Sequence, residues 1–204
     1  MHGALAILGP WTGTLIMKPD SRGSREPAAL LIIDLINLFD FPGGDGLARQ
    51  TRPVARRVRA LRDRFRKAGS PVIYVNDNFM HWQADFREIV AICSHPDAPG
   101  ADIVEQLRPE PDDYFILKPK HSAFLATPLP LLLAKLGVRR LVLTGVAADS
   151  CILATAMDAH AREFVIEIPH DGVASRSPRL RDQALSALRD ASCAAITRCS
   201  SVQP

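Results

Sequence analysis

Three residues of types that carry hydrolytic chemistry stand close to apolar segments: Asp34, Lys118 and Cys151. Asp34 follows the run AALLII, Lys118 ends YFILK, and Cys151 follows LVLTGVAADS. The thiolate is the nucleophilic form of cysteine, and a carboxylate can accept the thiol proton. A lysine between the two would hold the carboxylate and favour the thiolate electrostatically. These residue types therefore indicate nucleophilic attack on a carbonyl carbon, provided that the fold brings them together.

Two of these residues also have a plain structural interpretation. Cys151 lies in the first turn of a predicted Ala-rich helix, where small buried cysteines are common. Unpaired N–H groups at a helix N-terminus carry partial positive charge, however, and make a thiol easier to ionise. Asp34 could cap a turn, although a carboxylate beside so apolar a run is costly unless it is paired or functional.

Apolar runs alternate with helical stripes along the chain. The predicted strands are short and apolar, as in a parallel sheet buried on both faces, and cover residues 28–33, 71–77, 114–118, 140–143, 164–168 and 194–197. The main predicted helices cover residues 48–68, 85–93, 126–136, 149–161 and 178–191. This alternation predicts a three-layer α/β/α fold with a doubly wound, six-stranded parallel sheet of Rossmann-like type.

In such a sheet, functional sites form beyond the carboxyl ends of the strands, near a switch in strand order. Asp34 and Lys118 lie at predicted strand ends, and Cys151 follows the turn after the fourth strand. Gly145 is expected to open that turn. The convergence of three reactive residues on one edge of the sheet is the first indication of function.

The length and composition predict one domain. With 204 residues, 47% of them hydrophobic, the chain can bury a single sizeable core. We expect this domain at residues 27–200, after a poorly ordered or loosely docked extension at residues 1–26. The four cysteines form no C-x-x-C pair and no evident disulfide framework, which indicates a cytoplasmic location. The first residues resemble a signal peptide only faintly, because glycines and a proline interrupt their apolar part.

Charge and hydropathy argue against nucleic-acid and membrane partners. The net charge is only +3, and no apolar run reaches the roughly 18 to 20 residues of a membrane-spanning helix. The arginines of residues 49–66 coat an amphipathic helix without interleaved aromatics, which is typical of a solvated face. We therefore expect a small-molecule substrate, no nucleic acid and no membrane.

Three segments, in this order along the chain, resemble the isochorismatase-like cysteine hydrolases, which include nicotinamidases and N-carbamoylsarcosine amidases. They are LLIIDLINLF, LKPKHSAFLATPL and TGVAADSCILATAMDA. The resemblance implies a catalytic triad of Asp34, Lys118 and Cys151. Lys118, rather than Lys120, matches the family lysine because it stands four residues before Ser122. The resemblance also implies a homo-oligomer, dimer or tetramer, and no cofactor.

The resemblance further implies a non-proline cis peptide bond between Val146 and Ala147. This bond is expected to direct the Ala147 N–H, together with that of Cys151, at one point as an oxyanion hole. In the implied reaction, Asp34 takes the thiol proton, protonates the leaving amine, and then activates water against the thioester. The expected activity is hydrolysis of a C–N bond in a small amide, carbamoyl or ureido compound.

The substrate pocket is less well defined by the sequence. Ile36 replaces a glutamine found in many family members, which removes one polar group from the exit of the first strand. We expect five residues to line the pocket: Asn37, Phe39, His81, Trp82 and Phe124. His81 and Trp82 could equally lie in a surface loop, and the two phenylalanines could instead belong to the core.

No bound metal is expected. Nicotinamidases carry a metal site with Asp-x-His spacing after the second strand, whereas here Asp77 begins Asp-Asn-Phe-Met-His, which misplaces His81. The Cys and His residues also lack the spacing of a structural zinc site.

Other functions are compatible with parts of the pattern. Isochorismatase cleaves a vinyl ether, a reaction that needs no nucleophilic thiol, so Cys151 favours an amide substrate. A non-catalytic flavodoxin-like receiver would need an aspartate after strand three, where this chain has Lys118, and an acidic pair near strand one, where Leu35 follows Asp34. A pseudoenzyme that serves as a binding scaffold is a further alternative.

Overall fold

The computed structural model describes residues 26–79 and 82–204. Its strands are β1 Ala28–Ile33, β2 Val72–Asp77, β3 Tyr114–Lys118, β4 Arg140–Val146, β5 Val165–Pro169, β6 Val173–Ala174 and β7 Ala195–Thr197. Its α-helices are α1 Gly44–Lys67, α2 Phe86–Cys93, α3 Ala101–Gln106, α4 Leu129–Lys135, α5 Leu153–His160 and α6 Pro178–Asp190. A π-helical segment, Ala148–Ile152, leads directly into α5. The prediction for the extension at residues 1–26 lies outside the described residues, apart from Glu26.

The strands form one parallel sheet in the order β3-β2-β1-β4-β5-β7, and β6 pairs with the end of β4. The predicted doubly wound α/β fold is confirmed. All six predicted strands are present. The additional strand β6 has two residues, too few to produce a recognisable apolar run.

Burial on both faces explains the uninterrupted apolar sequence of β1, whose six residues are all buried. Leu30 and Ile32 pack into the core beneath α1, α2 and α3, whereas Leu31 and Ile33 pack into the core beneath α4, α5 and α6. Successive side chains of a strand point to opposite faces, so a central strand between two helical layers must be apolar throughout. Val202 is also fully buried, and its carbonyl accepts a hydrogen bond from Arg64.

The structure corrects two local predictions around glycines. Gly145 does not open a turn but lies within β4, where a Cβ atom would stand 2.0 Å from the carbonyl oxygen of Ile33. Glycine is required there because β1 and β4 approach closely, and the chain turns only at Ala147. Helix α1 begins at Gly44 rather than residue 48, because Gly43 adopts a left-handed conformation (φ 84°) that turns the chain into the helix.

No helix in residues 26–79 and 82–204 is long and apolar enough to cross a membrane.

Candidate active site

The candidate site lies where the strand order of the sheet reverses. The chain winds outward from β1 through β2 and β3 on one side, and through β4, β5 and β7 on the other. Asp34 follows β1 directly, Lys118 is the last residue of β3, and Cys151 lies in the π-helical segment after β4. Parallel strands present their carboxyl ends at one edge, so the topology brings these residues to the same crevice.

The side chains of the predicted triad are in contact. The Lys118 Nζ atom lies 2.9 Å from Asp34 Oδ2 and 3.5 Å from Cys151 Sγ. Lys118 has no solvent exposure, Asp34 is buried, and Cys151 is partly buried. The ammonium group therefore stands between a carboxylate and a thiol at the base of the crevice.

Backbone geometry holds the Asp34 carboxylate in place. Asp34 adopts a left-handed conformation with φ of 53°, and its N–H donates to the Val75 carbonyl at 2.8 Å. Its Oδ1 atom accepts a hydrogen bond of 2.8 Å from the Asp77 N–H, which leaves Oδ2 to contact Lys118. Aspartate is among the few non-glycine residues that tolerate this region of backbone space. One oxygen is thus fixed by the main chain and the other pairs with the lysine.

Lys118 keeps its charge despite its burial. Burial acts to lower the pKa of its ammonium group, but the neighbouring carboxylates, Asp34 above all and also Asp77, outweigh that effect, so its pKa is raised. The carboxylate of Asp77 contributes from 3.9 Å. Burial also raises the pKa of Asp77 itself, although the positive charge of Lys118 opposes that rise. The surroundings of Lys118 therefore favour its positive charge.

The surroundings of Cys151 favour the protonated thiol. Burial, reinforced by the negative charge of Asp34, raises the pKa of the Cys151 thiol to about 12, against the opposing effect of Lys118. The expectation that the helix N-terminus makes this cysteine easy to ionise is therefore corrected, because desolvation outweighs the favourable charges. A reaction at Cys151 needs a neighbouring base that removes the proton as the sulfur attacks.

The turn before Cys151 contains a cis peptide bond between Val146 and Ala147. The Ala147 carbonyl accepts hydrogen bonds from the N–H groups of Ser150 (3.0 Å) and Ile152 (3.1 Å), which tie the turn to the π-helical segment. Ala147 and Cys151 both line the same cavity. Their role as an oxyanion hole stays a prediction.

A cavity of about 650 Å³ opens above the triad, a volume within the usual range for small-molecule sites. Apolar side chains form much of its wall: Leu38, Phe41, Leu47, Phe79, Val146 and Leu180. Polar and charged residues complete it: Asp34, Asn37, Asp40, Asp77, His121, Asp149, Ser150 and Arg176. A second groove, of about 580 Å³ along α1 and α3, is lined mainly by charged side chains and has no cysteine in its wall.

Only some of the residues predicted to line the pocket lie in the wall of the cavity. Asn37 lines the cavity, and its Oδ1 atom accepts a hydrogen bond of 2.8 Å from the Phe39 N–H. Phe39 is 1% exposed and lies in the core beneath α1, while Phe124 is 3% exposed and packs in the opposite core. The expectation that these phenylalanines line the pocket is therefore corrected. Trp82 is 61% exposed and is not part of the cavity wall, and His81 lies outside the described residues.

Sequence reasoning did not identify His121 as a residue of the site. Its Nδ1 atom lies 3.8 Å from Cys151 Sγ and 3.1 Å from Ser150 Oγ. The available signal was its position in LKPKHSAF, three residues beyond the strand end at Lys118. Arg176, in the segment after β6, was also missed, and no feature of the sequence distinguished it from the other arginines.

In residues 26–79 and 82–204, no three His, Cys, Asp or Glu side chains are grouped so that they could hold a metal ion. Asp77, the residue that would begin such a site, faces the ammonium group of Lys118, which would repel a cation.

Comparison with known proteins places this geometry in a family. Residues 28–200 match the model of the isochorismatase domain. The isochorismatase family protein YaaI of Bacillus subtilis (strain 168) is 40% identical over 174 residues, which cover 85% of this chain and 95% of that protein.

Solved structures of amide hydrolases have the same fold. The N-carbamoylsarcosine amidase of Thermoplasma acidophilum superposes with a TM-score of 0.65 at 26% identity, over 87% of this chain and 99% of that chain. The nicotinamidase/pyrazinamidase PncA of Bacillus subtilis superposes with a TM-score of 0.66 at 25% identity, over 84% and 99% of the two chains. The fold, the length of the match and the identity to YaaI lead to one conclusion: the chain belongs to the isochorismatase family of hydrolases.

Proposed function

We propose that this protein is a cysteine hydrolase that cleaves the C–N bond of a small amide, carbamoyl or ureido substrate through a thioester. The observation that carries the proposal is the position of the Lys118 ammonium group, 2.9 Å from Asp34 Oδ2 and 3.5 Å from Cys151 Sγ. This arrangement supplies a nucleophile, a base and a cation that stabilises both. The similarity to an N-carbamoylsarcosine amidase supports the choice of a C–N bond.

The first half of the reaction forms the thioester. Because the thiol pKa is about 12, a free thiolate is scarce at neutral pH, so the proton passes to Asp34 as Sγ attacks the carbonyl carbon. The charge that develops on the carbonyl oxygen faces the N–H groups of Ala147 and Cys151. Loss of one such donor typically costs about 2.7 to 4 kcal/mol.

The second half releases both products. The C–N bond of the tetrahedral intermediate breaks, and the departing nitrogen takes the proton that Asp34 holds. Water then attacks the thioester while Asp34 accepts one of its protons. When the C–S bond breaks, that proton returns to the sulfur, so that an amine or ammonia, an acid and the free thiol remain.

The test is ammonia release from a panel of small primary amides, carbamoyl amino acids and ureas. We expect turnover of at least one compound by the native protein and a loss of roughly 10³-fold or more in Cys151→Ala. Cys193→Ala is the control, because Cys193 is a buried cysteine outside the cavity. Circular dichroism would verify that all three proteins are folded.

Two results would contradict the proposal: no turnover of any amide, or equal turnover by native protein and Cys151→Ala. Cleavage of a vinyl ether by both proteins would instead support the isochorismatase reaction.

The expected homo-oligomer and cytoplasmic location stay predictions. Light scattering of the purified protein tests the first of them.

A further inference from the structure

Two nitrogen atoms lie near the sulfur of Cys151, and they differ in exposure. Lys118 Nζ, 3.5 Å away, belongs to a side chain with no solvent exposure. His121 Nδ1, 3.8 Å away, belongs to an exposed side chain on the wall of the cavity. Hydrogen bonds that involve sulfur are longer than those between nitrogen and oxygen, so both distances allow direct contact.

The same Nδ1 atom of His121 contacts both Cys151 and Ser150. Its distance to Ser150 Oγ is 3.1 Å, and Ser150 Oγ itself lies 4.0 Å from Cys151 Sγ. When Nδ1 carries no proton, it can accept one from the thiol or a hydrogen bond from the hydroxyl. When Nδ1 carries a proton, it can donate to the hydroxyl oxygen or to a thiolate.

Several titratable groups belong to the elements around this imidazole. Lys118 and Lys120 precede it on its own segment, Cys151 lies on the π-helical segment, and Asp34 contacts Lys118. Asp77, at the end of β2, is also near. Burial raises the pKa of the Asp77 carboxyl, and positive charges on Lys118, His121 and Lys120 oppose that rise. Histidine is the residue type whose ordinary charge change falls between about pH 5 and 8.

We propose that His121 is a second proton acceptor for Cys151, acting beside Asp34 from the open side of the nucleophile. This inference rests on the function proposed for Cys151. Asp34 Oδ2 is already paired with the Lys118 ammonium group at 2.9 Å. His121 lies on the open wall of the cavity, with its Nδ1 atom 3.8 Å from the sulfur.

Every proton transfer of the reaction can take place through the Nδ1 atom of His121. The thiol proton moves to Nδ1 as the S–C bond forms, and the imidazolium then donates it to the nitrogen as the C–N bond breaks. In the second half, Nδ1 accepts a proton from the attacking water and returns it to the sulfur when the C–S bond breaks. No further reactant is needed besides the substrate and water.

The proposal predicts how the reactivity of Cys151 depends on pH. Protonation of the imidazole removes its acceptor atom, so the proposal predicts an inflection, in the range where histidines ordinarily change charge, below which the reactivity of the sulfur decreases. The inflection belongs to the coupled pair of His121 and Cys151 rather than to either group alone. An inflection caused by Asp34 would persist in a variant that lacks His121, whereas one caused by the imidazole would disappear.

The experiment measures the rate at which limiting iodoacetamide labels Cys151 between pH 5 and 9, by mass spectrometry of the peptide. The other three cysteines are buried, and iodoacetamide itself has no charge that varies with pH. The variant is His121→Asn, which keeps a polar group near the position of Nδ1 but cannot change charge. The matched control is His160→Asn, which removes an exposed histidine in the last turn of α5.

We expect the native protein and His160→Asn to share an inflection between pH 5 and 8, and His121→Asn to lack it. At pH 7.5, labelling of His121→Asn should be slower by about tenfold, the effect of a rise of one unit in the apparent pKa of the thiol. Superimposable profiles for native protein and His121→Asn would overturn the proposal. Labelling needs no substrate, so absence of ammonia release would contradict the proposed function without affecting this result.

Discussion

Cys151 separates two halves of the site that differ in how firmly their charges are held. The inner half consists of Asp34 and Lys118, which are buried, in contact with each other, and attached to strand ends of the sheet. The outer half consists of His121 and Ser150, which lie on the cavity wall and contact each other at 3.1 Å. One half is part of the core, and the other faces the space for the substrate.

This difference indicates a division of tasks. A buried ion pair keeps its charges over a wide range of pH, because losing either charge leaves the other unpaired in a poorly solvated place. An exposed imidazole changes charge readily near neutral pH. The inner half therefore supplies a constant electrostatic environment to the sulfur, while the outer half can make its reactivity respond to pH.

The strongest test of this comparison removes the inner cation. Lys118→Met keeps most of the side-chain volume but leaves the Asp34 carboxylate buried and unpaired. Breaking a buried pair in this way typically costs about 3 to 5 kcal/mol of unfolding free energy. We expect a loss of that size in urea unfolding and complete loss of ammonia release.

Lys120→Ala is the matched control, because Lys120 lies two residues away and is exposed. Exposed substitutions usually change stability by less than about 0.5 kcal/mol. If Lys120→Ala abolished activity and Lys118→Met did not, the assignment of the triad lysine would be wrong.

Burial of the thiols predicts a loss of stability at alkaline pH. Burial raises the pKa values of Cys93, Cys151 and Cys199 to about 12 each, whereas an unfolded cysteine ionises near pH 8.5. Above about pH 8.5, the folded chain thus binds more protons than the unfolded chain, and the free energy of unfolding decreases as pH rises. Each thiol should contribute up to about 1.4 kcal/mol per pH unit to this slope.

Urea unfolding between pH 7.5 and 9.5, with a reductant present, measures that slope. Cys151→Ala and Cys93→Ala should each make it shallower, since each removes one buried thiol. The second variant also loses packing in the core, but this lowers the stability at every pH and leaves the change in slope as the readout. A slope that neither variant alters would show that these thiols are not protonated preferentially in the folded chain.

The inner half could be predicted from the sequence because its residues lie next to strands. Asp34 and Lys118 each stand at an apolar run, and parallel strands deliver their ends to one edge whatever the exact length of the loops. The presence of the strands, rather than their precise bounds, was sufficient. The misplacement of the end of β4 at residue 143 did not affect the outcome.

The outer half and the pocket wall could not be predicted in the same way. Phe39 was expected in the pocket, but its side chain lies in the core. Its backbone adopts a left-handed conformation (φ 59°), and its N–H donates a hydrogen bond to Asn37 Oδ1. The contact between His121 and Cys151 depends on the path of the loop after β3 and on a π-helical rather than α-helical segment. Hydrophobic periodicity carries no information about either feature.

The smallest expected effect concerns the hydrogen bond within the outer half. Because Ser150 and Cys151 contact the same Nδ1 atom of His121, the hydroxyl competes with the thiol whenever it donates to that atom. Ser150→Ala removes the competitor, and a neutral hydrogen bond is worth roughly 0.5 to 1.5 kcal/mol. We therefore expect Cys151 in Ser150→Ala to be labelled about two- to tenfold faster at pH 7.5, with the inflection retained.

In the double variant Ser150→Ala, His121→Asn this increase in the labelling rate should vanish, since the hydroxyl affects the sulfur only through the imidazole. An increase that persists in the double variant would mean that Ser150 acts on Cys151 directly, across the 4.0 Å between Oγ and Sγ, and that the outer half does not work as a unit.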